Sequence, residues 1–225
     1  MMKKITTLVL MLAVLFTACT KTDDTYKNWK NVLKEYNGSA YQYFASQPAG
    51  SYDSLVKAID RFPNIKAAVE NDSITAFALS NRSFALSLDV INKARRDSIP
   101  ALDPVDINTM DSAVFEKYLA KYFIKGMYTT AVISKSTDGG AYPSIIYDYM
   151  MDLQYVSTNA SGFVGGGPKS LLFSDRNNSL DITNWIRVGT TTVDVRTKNA
   201  IINYLPANHI FGFGADFIIA VNSIN

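Results

Sequence analysis

Residues 74–88, ITAFALSNRSFALSL, limit the fold more than any other stretch of this chain. Thr75, Phe77 and Leu79 alternate with Ala76 and Ala78, a pattern that suits a short strand covered on both faces. Ser80 or Asn81 then supplies a short side chain that accepts hydrogen bonds from free backbone N–H groups, so a helix starts there. Phe84, Leu88 and Ile91 fall on one face of that helix. A buried strand that runs directly into an amphipathic helix needs partners on both sides. A chain of 225 residues can provide them within one domain, burying roughly 70% of its unfolded surface.

Helices are predicted before this segment and strands after it. Upstream, residues 26–36 carry Trp29, Val32, Leu33 and Tyr36 on one face, and Asn37-Gly38 stops them. A second helix is predicted over 39–45. A third is capped by Ser51, carries Leu55, Ile59 and Phe62, and is ended by Pro63; a short helical turn follows over 65–70. Downstream, Asp111 opens a helix with Phe115, Tyr118, Leu119, Tyr122 and Phe123 as its apolar face, closed by Gly126. Strands are then predicted over 127–134, within 144–156, and over 169–174, 185–188 and 191–196; 200–205 is apolar, and a closing strand covers 217–221. Residues 157–168 are Gly-rich and read as a loop. Helices first and strands later, without β-α alternation and without an internal repeat, predict one α+β domain beginning near Ser39.

The amino terminus has the layout of a secretory leader. Lys3 and Lys4 precede an apolar run over 5–16, which falls short of the ~20 residues a spanning helix needs. The run ends in Phe16-Thr17-Ala18-Cys19, similar to a bacterial lipobox, and Cys19 is the sole cysteine. Residues 1–18 are therefore expected to be a signal peptide and 19–38 a lipidated tether with a short helix. Acyl chains on Cys19, palmitate among them, would insert into a lipid bilayer at ~0.8 kcal/mol per buried methylene. The absence of Asp directly after Cys19 and the Lys21, Asp23, Asp24 cluster point to the outer membrane, with surface exposure as an open alternative.

Three motifs, in order, resemble the fasciclin (FAS1) family. Thr75, Phe77, Ala78, Asn81 and Phe84 match its first signature, with Leu79 and Ser80 in place of the usual Pro and Thr. Tyr122, Gly126, Tyr128 and Thr129 match a second, and Asn199 and Ile202 a third. Phe123 and Asn203 stand where the family usually carries His. The chain thus resembles a fasciclin-domain lipoprotein of the Bacteroidetes type. The resemblance implies a wedge or sandwich of mostly antiparallel strands with N-terminal helices packed on it, over 39–225, with an enlarged strand and loop region near 140–185. It also implies a non-enzymatic role in adhesion or protein and matrix interaction. Asp-Ser-apolar steps at Asp53, Asp72, Asp97 and Asp111 resemble O-glycosylation sites of the same bacteria.

Little in the chain suggests catalysis. His209 is the only histidine, no serine sits in a nucleophile elbow, and one His plus one Cys cannot make a structural zinc site. Without Lys3 and Lys4 the basic and acidic residues balance, which gives no electrostatic case for nucleic acid. The run from Gly162 to Ser170 imitates a phosphate loop, but Pro168 separates Gly167 from Lys169 and the following Leu171-Leu172-Phe173 reads as strand. Asp103, Asp106 and Asp111 share a loop that lacks EF-hand spacing. No cofactor or metal is expected. The remaining candidates are aromatic. Tyr142, Tyr147 and Trp185, together with Tyr149 and Tyr155, are either cross-strand packing or a platform for a glycan or protein partner. A glycan-binding accessory of a polysaccharide uptake system is therefore the alternative function.

Overall fold

The computed structural model describes residues 34–159 and 166–223. The predicted leader, Cys19, most of the first predicted helix and residues 160–165 of the Gly-rich stretch lie outside the described residues. Three helices come first: α1 (Ala40–Ala45), α2 (Asp53–Asp60) and α3 (Pro63–Asn71). Strand β1 (Ile74–Ala78) runs into α4 (Asn81–Asp97). Then follow α5 (Ser112–Ala120), β2 (Phe123–Lys125), α6 (Thr130–Ile133), β3 (Gly140–Pro143), β4 (Met150–Ser157) and β5 (Lys169–Asp175). A 3-10 turn (Ile182–Asn184), β6 (Ile186–Gly189), β7 (Thr192–Arg196), β8 (Ala200–Tyr204) and α7 (Ala215–Asn222) complete the fold.

The strands form two four-stranded sheets, β2-β1-β8-β7 and β3-β4-β5-β6. β1 and β8 pair in parallel, Ile74 with Ala200 through Ala78 with Tyr204. The other named pairings are antiparallel. β1 lies inside its sheet and every residue of it is buried, as a largely apolar strand covered on both faces requires. Alternation then divides its side chains between two layers. Phe77 meets the second sheet, where its ring stacks on Phe173 with centroids 3.7 Å apart. On the opposite face Tyr204, paired with Ala78, packs on Tyr52 and bonds Tyr43 of α1 through the two hydroxyls. The result is helices, sheet, sheet: the α+β architecture expected.

Long-range caps explain several departures from the sequence reading. Ser51 does not cap α2; its first turn is capped from α4, where Asn81 Oδ1 accepts the Ser54 N–H at 2.8 Å. Pro63 opens a helix instead of ending one, because the N–H it lacks is unused in a first turn. Residues 127–134 are not a strand. Gly126, at φ +93°, turns the chain, and α6 forms because Asp194 on β7 accepts both the backbone N–H and the hydroxyl of Thr130. The predicted closing strand over 217–221 is the helix α7, with Phe217 and Val221 buried and Ile219 facing out. A short apolar run has no period that separates strand from buried helix. The helix from Asp111 stops at Ala120, so Phe123 lies on β2. Residues 34–36 are extended, not helical: the Tyr36 and Arg196 N–H groups donate to Arg196 O and Lys34 O, each at 2.8 Å. Ordered pairing with the sheet edge thus begins before Ser39.

Candidate functional site on the second sheet

The residues between α5 and β2 form two polar knots, one with the second sheet and one with the connection between β8 and α7. Lys121, the C-terminal cap of α5, reaches Asp175 at the end of β5 with Nζ 2.7 Å from Oδ2, and both side chains are about 5% exposed. The Tyr149 hydroxyl donates to Asp175 Oδ1 at 2.7 Å, as does the Asn177 N–H at 2.9 Å. The ammonium also sits over the Tyr149 and Tyr118 rings, at 4.0 and 4.4 Å. Burial pushes the Lys121 pKa below its usual value despite the carboxylate. In the second knot the Gly212 N–H donates to the Tyr122 hydroxyl at 3.0 Å. That hydroxyl lies 2.8 Å from His209 Nε2. Burial lowers the His209 pKa to about 4, so the ring is neutral at physiological pH. Gly212 adopts φ +92°, and a Cβ there would fall 2.2 Å from the Phe217 ring. The sole histidine is thus held in an aromatic cluster with Tyr122 and Phe213.

The two positions where the resembling family carries His are both buried. Phe123 pairs with Ala76 on β1. Asn203 lies beside Phe77 and accepts the Asp194 N–H at 3.1 Å, while its Nδ2 has no partner among the described residues. The acids of the 103–111 loop serve local backbone. Asp106 Oδ1 accepts the Asn108 and Thr109 N–H groups at 2.7 and 2.9 Å, which hold its pKa down. Asp111 caps α5 by accepting the Val114 N–H at 2.9 Å. Among the described residues no group of three or more His, Cys, Asp or Glu is arranged to hold a metal ion. Lys169 begins a strand, so no helix N-terminus follows the Gly-rich stretch.

The aromatic candidates do not share one surface. Tyr142, on the edge strand β3, is half-buried and packs on Tyr128 with ring centroids 4.6 Å apart. Tyr147 lies in the β3–β4 turn, where Ile146 and Asp148 take left-handed conformations, and its hydroxyl donates to Glu116 on α5 at 2.9 Å. That turn breaks the alternation that placed Tyr147 and Tyr149 on one strand face. Tyr155 packs against the core and Tyr149 against Lys121. Trp185 precedes β6, the other edge, so two strands and ~14 Å separate it from Tyr142. Its indole N–H donates to Ser179 O at 2.9 Å, and the guanidinium groups of Arg176 and Arg187 lie 4.9 and 5.5 Å from its ring. Neither arginine stood out in the sequence. The available signal was positional: Arg187 is two residues from Trp185 and therefore on its side of β6, and Arg176 sits in the turn that leads there.

Comparison with solved structures finds the same architecture in the FAS1 domain pair from the insect cell adhesion molecule fasciclin I. The match has a TM-score of 0.53 at 11% identity and covers 80% of this chain and 52% of that one. The fold is fasciclin-like. This chain spans about half the length of the chain it matches, and at this identity the likeness concerns the fold alone. No family model matches the sequence, and no curated protein sequence matches it. Among the described residues no helix is long and apolar enough to cross a membrane.

Proposed function

We propose that this protein is a non-enzymatic envelope lipoprotein whose fasciclin-like domain acts in adhesion or in contact with a protein or matrix component. The observation that carries the reading is the fold shared with a domain pair from a cell adhesion molecule. Two features of the chain support it. Cys19 ends the apolar leader and offers an acylation site for an outer-membrane anchor. The one histidine, the side chain best suited to general base work near neutral pH, is half-buried and hydrogen-bonded to Tyr122. The anchor is tested with Cys19→Ser and with globomycin, which should each move the protein out of the membrane fraction. The adhesion role is tested by coating beads with the full chain and presenting them to surface-protein and matrix panels. Saturable binding without turnover is expected, and failure to bind any panel member would refute it. The alternative, a glycan-binding accessory of an outer-membrane polysaccharide uptake system, draws on the half-buried Trp185 and the two arginines beside its ring.

A further inference from the structure

The face of the second sheet that points away from the first carries an unusual polar row. Leu153, Phe173 and Val188 are cross-strand partners on the inner face. Their neighbours Asp152, Ser174 and Arg187 are likewise paired in register across β4, β5 and β6, and so point outward together. Arg176 follows Ser174 by two residues and Trp185 precedes Arg187 by two. Both guanidinium groups lie over the Trp185 ring, which places these three side chains together on that face.

Two members of this row are buried although they lie on an outer face. Asp152 is 6% exposed and Ser174 is 1% exposed. Among the described residues the Ser174 hydroxyl has no hydrogen-bond partner, which is costly for a buried polar group unless something else meets it. Burial raises the Asp152 pKa, while the fields of Arg176 and Arg187 work against that rise. Among the described residues no carboxylate comes within ion-pair distance of either arginine; the ion pairs are Lys66–Asp60, Lys121–Asp175 and Lys125–Asp148. Arg187 spends one N–H on Ile182 O at 3.2 Å and keeps its remaining donors.

We propose that this row is a binding site for an acidic saccharide, a glycan bearing uronic acid residues. The sugar carboxylate pairs with Arg176 and Arg187, whose forked donors fit a carboxylate. Sugar hydroxyls donate to the Asp152 carboxylate and, as the side chains covering Ser174 shift to take the sugar, complete the hydrogen bonding of its Oγ. Trp185 holds the two guanidinium groups beside each other against its ring, so that both face the sugar carboxylate. An acidic peptide fits less well. Its carboxylates stand alone on flexible side chains, whereas each uronate ring flanks its carboxylate with hydroxyl donors that Asp152, at the β4 end of the row, can accept. The row lies on the face of β5, between two other strands, so a peptide could not add there as an extra strand either.

The test uses the full chain carrying Trp29→Phe, which leaves Trp185 as its single tryptophan. Its emission is followed during titration with a galacturonate tetramer, the neutral galactose tetramer and a tetraglutamate peptide. The galacturonate tetramer should give a saturable change, with the neutral tetramer and the peptide each at least about tenfold weaker. Arg176→Gln and Arg187→Gln, both at exposed or half-exposed positions, should each weaken binding about tenfold, and Ser174→Ala about fivefold, with unchanged circular dichroism. The proposal is overturned by any of four results: no saturable change; equal binding of the neutral tetramer; equal binding of tetraglutamate, which would mean a plain anion site; or arginine variants that bind as the parent does. The inference rests on the binding reading of the domain, but the two fail separately. Bead adhesion without uronate binding removes only the saccharide site.

Discussion

His209 gives the sharpest test of the interior, because it is the chain's one histidine and its titration can be followed without ambiguity. In the folded protein its pKa falls from 6.5 to about 4, and burial is the cause. The geometry agrees. The Gly212 N–H donates to the Tyr122 oxygen, and the tyrosine O–H donates to His209 Nε2 when the neutral ring carries its proton on Nδ1. Protonation at Nε2 would set two donors against each other in an aromatic cluster. The gap between 6.5 and about 4 corresponds to ~3 kcal/mol at 1.36 kcal/mol per pH unit. The folded state binds this proton less tightly than the unfolded chain. Its contribution to stability is therefore complete above pH 6.5 and is lost as pH falls to about 4. Urea unfolding of the parent and of His209→Phe, measured from pH 7.5 to pH 4, separates this effect from the carboxylates common to both. At neutral pH the variant should be less stable by ~1 kcal/mol, for the lost Tyr122 hydrogen bond. That difference should shrink and then reverse on acidification, by ~3 kcal/mol in all. Imidazole proton resonances should show no titration down to about pH 5. A folded-state midpoint near 6.5, or stability curves that stay parallel, would refute the reasoning.

Two further perturbations address how the layers are joined. Asp175→Asn leaves the Lys121 ammonium buried without a counter-charge and should destabilise by ~3–5 kcal/mol in urea unfolding; Lys121→Met combined with Asp175→Leu should recover part of that loss, since neither charge then remains. Asn199→Ala removes the acceptor for the Ala40 N–H and the donors to Val69 O and Asp72 O, held at 2.9, 3.0 and 2.9 Å. It should destabilise by ~2–3 kcal/mol and lower the melting midpoint by roughly 4–12 °C, as read by calorimetry.

The three motifs that carried the family resemblance prove to be structural joints. Thr75 accepts the Tyr128 N–H at 2.8 Å and donates to Gly126 O at 2.7 Å, so the first and second motifs meet around one hydroxyl. Asn199, from the third, binds α1 and α3 to the start of β8. Asn81 caps a helix other than its own. Motif spacing shows that such residues matter, but their partners lie far along the chain, so their roles become visible only when the fold brings them together. The same applies to the proposed saccharide site. Trp185 stood out by residue type and Arg187 lies two residues from it, whereas Asp152, Ser174 and Arg176 belong to two other strands and a turn, and only the fold places them beside it.

Local chemistry determined the elements that close within a few residues: the Ser39 and Ser80 caps, the apolar β1, the amphipathic α4 and the strand-rich second half. Each depends on side-chain period or on a hydrogen bond to a near neighbour, and both can be read along the chain. Tertiary structure decided whether a short apolar run became α7 or a strand, whether Gly126 led into α6, and which aromatics faced solvent. Those outcomes depend on partners such as Asp194, Phe211 and Asp175, supplied from other strands and loops after loop closure. Nothing local to the affected segments records them.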